Sequence, residues 1–99
     1  MKNISKVLWT QEANKNLSII IKYLEDNWTK KEIEKFLKKL NKHISIIQSQ
    51  PDSFPKTNNY NVRQSVVTKQ ITLYYSISQD TLNIVSLFDN RQDPQKLKI

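Results

Sequence analysis

Two arginines are the residues of this 99-residue chain best suited to recognising an anion. Lysine and arginine together number 16, yet only Arg63 and Arg91 are arginines. The arginine side chain is a planar, permanently charged fork that matches a carboxylate or phosphate, and lysine reproduces this geometry poorly. Both positions are therefore candidates for binding a target. The alternative is two solvated surface arginines, or a salt bridge from Arg91 to Asp89 or Asp93.

Most other chemistry is excluded by composition. The chain has no cysteine, no glycine and a single histidine, His43. A thiolate metal site, a cysteine nucleophile and a glycine-rich phosphate loop are therefore excluded, and no serine lies on a nucleophile turn. We expect no metal and no cofactor. We also expect a structural position for His43, which lies at the edge of an apolar helix face.

The formal net charge of +7 does not by itself indicate a function, because the composition is rich in lysine, isoleucine and asparagine throughout. Five lysines nevertheless fall on one face of the second predicted helix, opposite its apolar residues. A solvated helix face is the simpler interpretation, and a phosphate-contacting surface is the alternative. The five are Lys31, Lys35, Lys38, Lys39 and Lys42.

Apolar spacing predicts the two helices that carry these side chains. Thr10 is a good N-cap with Glu12 in the first turn, and Thr29 with Glu32 resembles a capping box. The short connection around Trp28 predicts an antiparallel helix hairpin. The apolar stripes are Ala13, Leu17, Ile20, Ile21, Leu24 and Trp28, then Ile33, Phe36, Leu37, Leu40, Ile44 and Ile47.

Alternating patterns predict four strands around the hairpin. After a polar connection between Pro51 and Pro55, the short turns predict an antiparallel meander. The fold class is therefore α+β, in the order β-α-α-β-β-β, with the hairpin packed on a small antiparallel sheet in one domain, 1–99. The strands are Ile4–Trp9, Tyr60–Val67, Lys69–Ile77 and Leu82–Phe88, and the expected core includes Leu17, Leu24, Phe36, Leu40, Leu73 and Ile84.

Three apolar residues lie outside these stripes. Ile19 and Tyr23 are one turn apart on the first helix and point away from its apolar face, and Ile46 falls on the lysine side of the second. Such residues are either covered by a loop or mark a partner's docking surface. No 18-residue apolar run is present, and the N-terminus lacks the apolar stretch of a signal peptide. We therefore expect a cytoplasmic protein without a membrane partner.

Together these motifs resemble the RelE/ParE family of bacterial toxins from type II toxin–antitoxin systems. The resemblance implies a cognate antitoxin encoded nearby and one of two activities. ParE-like members inhibit DNA gyrase, and RelE-like members cut messenger RNA in the ribosomal decoding site. The motifs are Val7-Leu8-Trp9-Thr10 leading to Ala13 and Leu17, then Tyr23-Leu24, Trp28-Thr29, Val62-Arg63, Leu73–Ile77, Ile84–Phe88 and Asp89–Pro94.

The chain matches the ribonuclease pattern less well than the gyrase-binding one. Asn61 stands where the ribonuclease pattern has a lysine, and Thr72 stands near the position where that pattern has an arginine on its middle strand. No tyrosine follows Tyr75, so the C-terminal proton-transfer group is missing. Tyr74 and Tyr75 are expected in the core or on the sheet rather than as substitutes for it.

The resemblance therefore implies a ParE-like gyrase inhibitor of the plasmid-stabilisation type. In that interpretation Arg63 and Arg91 bind the target, with their guanidinium groups converging at one end of the sheet, and Ile19 and Tyr23 bind the antitoxin. The first alternative is a ribosome-dependent mRNA endoribonuclease in which the two arginines are catalytic. The second is a degenerate toxin that only binds its antitoxin.

Overall fold

The order of elements is the predicted β-α-α-β-β-β. A computed structural model describes residues 4–59 and 61–99; Tyr60, the predicted start of the second strand, lies outside them. Single 3₁₀ turns, Pro51–Ser53 and Pro94–Lys96, lie in the polar connection after the second helix and in the C-terminal segment after the last strand. The helices are α1 (Gln11–Asn27) and α2 (Lys30–Ser49), and the strands are β1 (Lys6–Trp9), β2 (Arg63–Val66), β3 (Ile71–Ser78) and β4 (Thr81–Asp89).

Both helices begin at the predicted caps. The Thr10 hydroxyl accepts a hydrogen bond from the Ala13 N–H at 3.1 Å, and the Thr29 hydroxyl accepts one from the Glu32 N–H at 3.3 Å. Each cap satisfies a backbone donor that the first helical turn leaves without an intrahelical partner. Only Trp28 and Thr29 separate the helices, so the chain reverses at once into a hairpin.

The sheet has the strand order β1-β4-β3-β2. The meander β2-β3-β4 is antiparallel as predicted, but β1 pairs with β4 in parallel, so the sheet is mixed rather than antiparallel throughout. Turn lengths determine the direction only of strands that follow each other along the chain. The strand β1 has no such neighbour, because the whole hairpin separates it from β2.

The core lies between the hairpin and one face of the sheet. Phe36, Leu40, Leu73 and Ile84 are buried there, as predicted. Leu17 and Leu24 were predicted in the core but are only partly buried, because α1 lies at the edge of this layer and Ala13 is its one buried residue among those described. A smaller cluster on the opposite face of the sheet contains Val62, Tyr74, Phe88 and the partly buried Leu97.

Side chains of α1 replace the missing neighbour of β4. The pairing of β1 with β4 ends at Ile84, so the second half of β4 has an open edge. Asn16 covers it: its side-chain oxygen accepts hydrogen bonds from the Leu87 N–H at 3.1 Å and the Ser86 hydroxyl at 2.9 Å. These bonds fix α1 over the end of β4, where the candidate site lies. Over the described residues, neither helix is long and apolar enough to cross a membrane.

Candidate functional site

A groove of about 900 Å³ lies between the helix hairpin and the end of the sheet where β4 finishes. Both helices, the turn between β2 and β3 and the loop after β4 contribute to it. Its apolar lining includes Ile19, Tyr23, Trp28, Phe36 and Ile71. We refer to this cavity as the groove.

Three large apolar side chains of the groove are exposed to solvent. Ile19 is 54% exposed and Tyr23 is 43% exposed, which agrees with their predicted position outside the apolar stripe. Trp28 was predicted to belong to that stripe, but it is 46% exposed. It follows the last residue of α1 as the C-cap, in an extended conformation, so helical spacing no longer determines where its ring lies.

One wall of the groove is strongly basic. Four lysines of α2 recur there at helical spacing over about 10 Å of the helix axis. With Arg91 they give five cations, against the two carboxylates of Glu32 and Asp89. Lys31, the fifth lysine of the predicted face, does not line the groove, and Ile46 is 36% exposed outside it. The four lysines are Lys35, Lys38, Lys39 and Lys42.

Arg91 is held at the groove by two neighbours. Its Nε and Nη2 donate to the Asp89 carboxylate at 3.0 and 2.6 Å, and its backbone N–H donates to the same carboxylate at 2.9 Å. The guanidinium carbon lies 5.3 Å from the centre of the Tyr23 ring, a cation–π contact. Hydrogen bonds from Arg91 lower the pKa of Asp89, and that carboxylate raises the pKa of Arg91. The ion pair anticipated as an alternative is thus present.

Arg63 lies in a different environment. Its Nη1 donates to the backbone carbonyls of Phe54 and Asp52 at 2.6 and 3.3 Å, and its Nη2 is 3.7 Å from the Asp52 carboxylate. These contacts hold the connection after α2 against the start of β2. Arg63 does not line the groove.

The two arginines do not converge. Arg63 pairs with Tyr75, four residues along β3 from Ile71, the partner of Asp89. Four residues of strand span about 13 Å. The expectation that the two guanidinium groups meet at one end of the sheet is therefore wrong, because Arg63 begins β2 at the opposite end from the turn that lines the groove.

The two tyrosines of β3, Tyr74 and Tyr75, have structural positions. Tyr75 is fully buried, its hydroxyl donates to the Pro51 carbonyl at 2.7 Å, and burial raises its pKa to about 12. Tyr74 is buried on the other face of the sheet, and burial raises its pKa as well. Both tyrosines thus lie where they were predicted. Among the described residues, no three acidic or histidine side chains cluster to hold a metal ion.

His43 has the structural position predicted for it. Its Nδ1 lies 2.9 Å from the Ser65 hydroxyl and links α2 to β2. Burial lowers the pKa of His43, and the charges of Lys39 and Lys42 lower it further.

Solved structures of toxins share this fold. The chromosomal ParDE toxin–antitoxin system from P. aeruginosa aligns with a TM-score of 0.72 and 11% identity, over 87% of this chain and 96% of that one. A YoeB/ParE toxin from Agrobacterium tumefaciens aligns at 0.62 and 13%, over 85% and 97%. The E. coli DinJ–YafQ toxin–antitoxin complex aligns at 0.60 and 9%, over 89% and 94%. No curated protein sequence matches significantly.

A sequence model of one family covers nearly the whole chain. It describes the ParE toxin of the type II toxin–antitoxin system parDE and matches residues 7–94, from the first strand to the start of the tail. The match includes both helices, all of the groove residues and both arginines. With the fold and this match in agreement, the chain belongs to the ParE toxin family of type II toxin–antitoxin systems.

Proposed function

We propose that this toxin inhibits growth by binding DNA gyrase through Arg91 and the surrounding groove, without a cofactor. The observation that carries the proposal is the orientation of Arg91, which Asp89 and the Tyr23 ring hold at the groove. A held guanidinium recognises an anionic group with little loss of side-chain entropy. Protein surfaces that depend on such anchors often owe most of their binding energy to a few residues.

The surroundings of Arg91 favour binding over catalysis. General acid–base chemistry needs a group that can exchange a proton with the substrate near the operating pH. Tyr75 is fully buried with its pKa raised to about 12, and His43 lies outside the groove against Ser65. Neither Tyr74 nor Tyr75 lines the groove beside Arg91. His43, Tyr74 and Tyr75 are therefore not placed to exchange a proton beside Arg91, which favours a toxin that acts by binding.

We further propose that a cognate antitoxin neutralises the toxin by placing an acidic amphipathic helix in the groove. The exposed Ile19, Tyr23 and Trp28 side chains would receive its apolar face. Carboxylates at matching helical spacing would lie against Lys35, Lys38, Lys39 and Lys42. Charge complementarity therefore favours an acidic partner. Solved structures with this fold include the ParDE toxin–antitoxin system and the DinJ–YafQ toxin–antitoxin complex.

Two assays with the same purified toxin test the target. A gyrase supercoiling assay should lose activity as toxin is added, while cell-free translation followed by primer extension should show intact message. Arg91→Ala should restore supercoiling, with Lys69→Ala as an exposed control outside the groove. Cuts in the message at the decoding site, with normal supercoiling, would contradict the proposal and identify an mRNA endoribonuclease.

A growth assay tests the remaining alternative. Induction without antitoxin should arrest growth, because the proposal assigns the chain an active target-binding surface. Normal growth with abundant folded toxin would instead indicate a degenerate toxin that only binds its antitoxin. Co-expression of the neighbouring antitoxin gene serves as the control for recovery.

A further inference from the structure

Asp89 accepts an unusual number of hydrogen bonds from one residue. It is the last residue of β4, its side chain is 18% exposed, and its carboxylate accepts three bonds, all from Arg91. One of them comes from the Arg91 backbone, so the loop and the side chain are fixed together. An ordinary surface ion pair has no such backbone link and contributes little.

The same contacts leave one edge of the guanidinium open. Nε and one hydrogen of Nη2 face Asp89, and the Tyr23 ring lies within cation–π distance of the guanidinium carbon. Among the described residues, the hydrogen bonds donated by the Arg91 side chain are those of Nε and Nη2 to Asp89, and the adjacent Tyr23 side chain also raises the pKa of Arg91. The edge formed by Nη1 and Nη2 is a second fork that can donate two parallel hydrogen bonds to one carboxylate or phosphate. Arg91 itself is 49% exposed and lines the groove.

We propose that Asp89 is a positioning residue that fixes Arg91 side-on, so that the Nη1–Nη2 edge is presented in the groove to a carboxylate of the target protein. This inference rests on the proposed function, which assigns binding of a protein target to Arg91. Asp89 acts through Arg91 and does not itself contact the partner. Its effect is to restrict the arginine before binding, which would otherwise cost ordering entropy. Loss of this restriction should weaken partner binding about tenfold.

NMR of the free toxin tests the geometry. The chain has only two arginines, so a ¹⁵N-labelled sample gives two Nε–Hε signals, and Arg63 is an internal reference because its hydrogen bonds are made by Nη1. The Arg91 signal should be protected from solvent exchange in the wild type and lose protection in Asp89→Asn. Asp93→Asn removes a negative charge four residues further along the chain and should leave the Arg91 signal protected. Rapid exchange of Arg91 in the wild type would overturn the inference.

Two small anions test the open fork. Sodium acetate and inorganic phosphate are titrated separately at constant ionic strength while the Arg91 Nε–Hε signal is followed. Acetate should shift that signal, less so in Asp89→Asn, and should leave Arg63 unchanged. A shift with phosphate alone, or with neither anion, would overturn the carboxylate assignment.

Growth inhibition tests the consequence in a double-mutant cycle. Asp89→Asn should raise the toxin level needed for half-maximal inhibition about tenfold in the wild type, and less than twofold in Arg91→Lys, where the side-on pair is already absent. An equal loss in both backgrounds, or no loss in the wild type, overturns the positioning role. If Arg91→Ala remains fully toxic, the proposed function fails as well. If Arg91→Ala is harmless while Asp89→Asn is fully toxic, only this inference fails.

Discussion

Arg63 and Arg91, the two arginines of this small protein, lie in two different environments. Each guanidinium lies beside an aspartate, at 3.7 Å for Asp52 and 2.6 Å for Asp89. Arg63, however, directs Nη1 at two backbone carbonyls and is 22% exposed, whereas Arg91 is 49% exposed and contacts side chains at an open groove. Arg63 holds two chain segments together, whereas Arg91 is held by Asp89 and Tyr23 and remains half exposed at the groove.

This difference in environment predicts that the two arginines contribute differently to stability and to toxicity. Removing Arg63 leaves the part-buried Phe54 carbonyl without this donor, and an acceptor shielded from water without a hydrogen bond is costly. Removing the Arg91 side chain takes two donors from the Asp89 carboxylate, which keeps its bond from the Arg91 backbone N–H. We therefore expect Arg63 substitutions to change mainly the free energy of unfolding, and Arg91 substitutions to change mainly growth inhibition.

The largest expected effect is the loss of toxicity on substitution of Arg91. Arg91→Ala should weaken growth inhibition roughly a hundredfold, the size of a binding hot spot, and Arg91→Lys about tenfold, because lysine lacks the planar fork. The free energy of unfolding should fall by about 1 kcal/mol or less, since Arg91 is half exposed and the Asp89 carboxylate keeps the hydrogen bond from the Arg91 backbone N–H. The measurements are a growth titration and urea denaturation. Undiminished toxicity of Arg91→Ala would show that Arg91 is not needed for growth inhibition.

Arg63→Ala should next show the opposite pattern. The free energy of unfolding should fall by about 1–2 kcal/mol, because the part-buried Phe54 carbonyl loses its donor, whereas the exposed Asp52 carbonyl can accept from water. Toxicity per folded molecule should remain within about twofold of the wild type. Lys69→Ala, an exposed cation on a turn, is the matched control and should change neither quantity. If the double variant Arg63→Ala, Arg91→Ala were needed to abolish toxicity, both arginines would bind the target.

A smaller effect is expected where the groove meets the antitoxin. Ile19→Asp should weaken the complex with the antitoxin at least tenfold, because it places a charge on an apolar part of the groove. Calorimetry of the purified pair measures the change. Val66→Asp is the matched control, since Val66 is 61% exposed and lies outside the groove. Equal losses in the two variants would show that the antitoxin does not depend on this face.

Tyr23 sharpens the same test because it has two partners. Tyr23→Leu keeps an apolar side chain but removes the ring from Arg91. It should therefore preserve most of the antitoxin affinity and reduce growth inhibition severalfold. Tyr23→Asp should reduce both, since it adds a carboxylate beside the guanidinium. An unchanged growth titration in Tyr23→Leu would indicate that Asp89 alone fixes Arg91.

The sequence predicted local features of the fold better than the relations between distant segments. The caps Thr10 and Thr29 depend on residues three positions away, and the meander depends on short turns, so both could be recognised directly. The parallel pairing of β1 with β4 joins Lys6 to Thr81, and nothing local encodes it. The role of Asn16 was missed for the same reason, because its partners, Ser86 and Leu87, lie 70 and 71 residues away.

Several residues of the candidate site could be predicted from the sequence, but their arrangement could not. The rarity of arginine indicated Arg63 and Arg91, and helical spacing indicated Ile19 and Tyr23. Their grouping depends on the path of the loop after β4, which brings Arg91 onto the Tyr23 ring, 68 residues earlier along the chain. The separation of Arg63 from this group depends on the strand register. Trp28 was missed as a groove residue because helical spacing assigned it to the core.

The smallest expected effect concerns His43, which lies outside both arginine environments and tests whether stability depends on α2 packing against β2. Burial lowers the pKa of His43 below its ordinary value of 6.5, and Lys39 and Lys42 lower it further. The unfolded chain therefore binds this proton at a higher pH than the folded one. By linkage the free energy of unfolding should decrease as the pH falls below 6.5, until the folded His43 is protonated too. His43→Gln, which keeps a polar partner for Ser65, should flatten this slope between pH 7.5 and 5.5, above the range where carboxylates titrate. Urea denaturation at several pH values measures it. An identical slope in His43→Gln would assign the acid sensitivity to other groups.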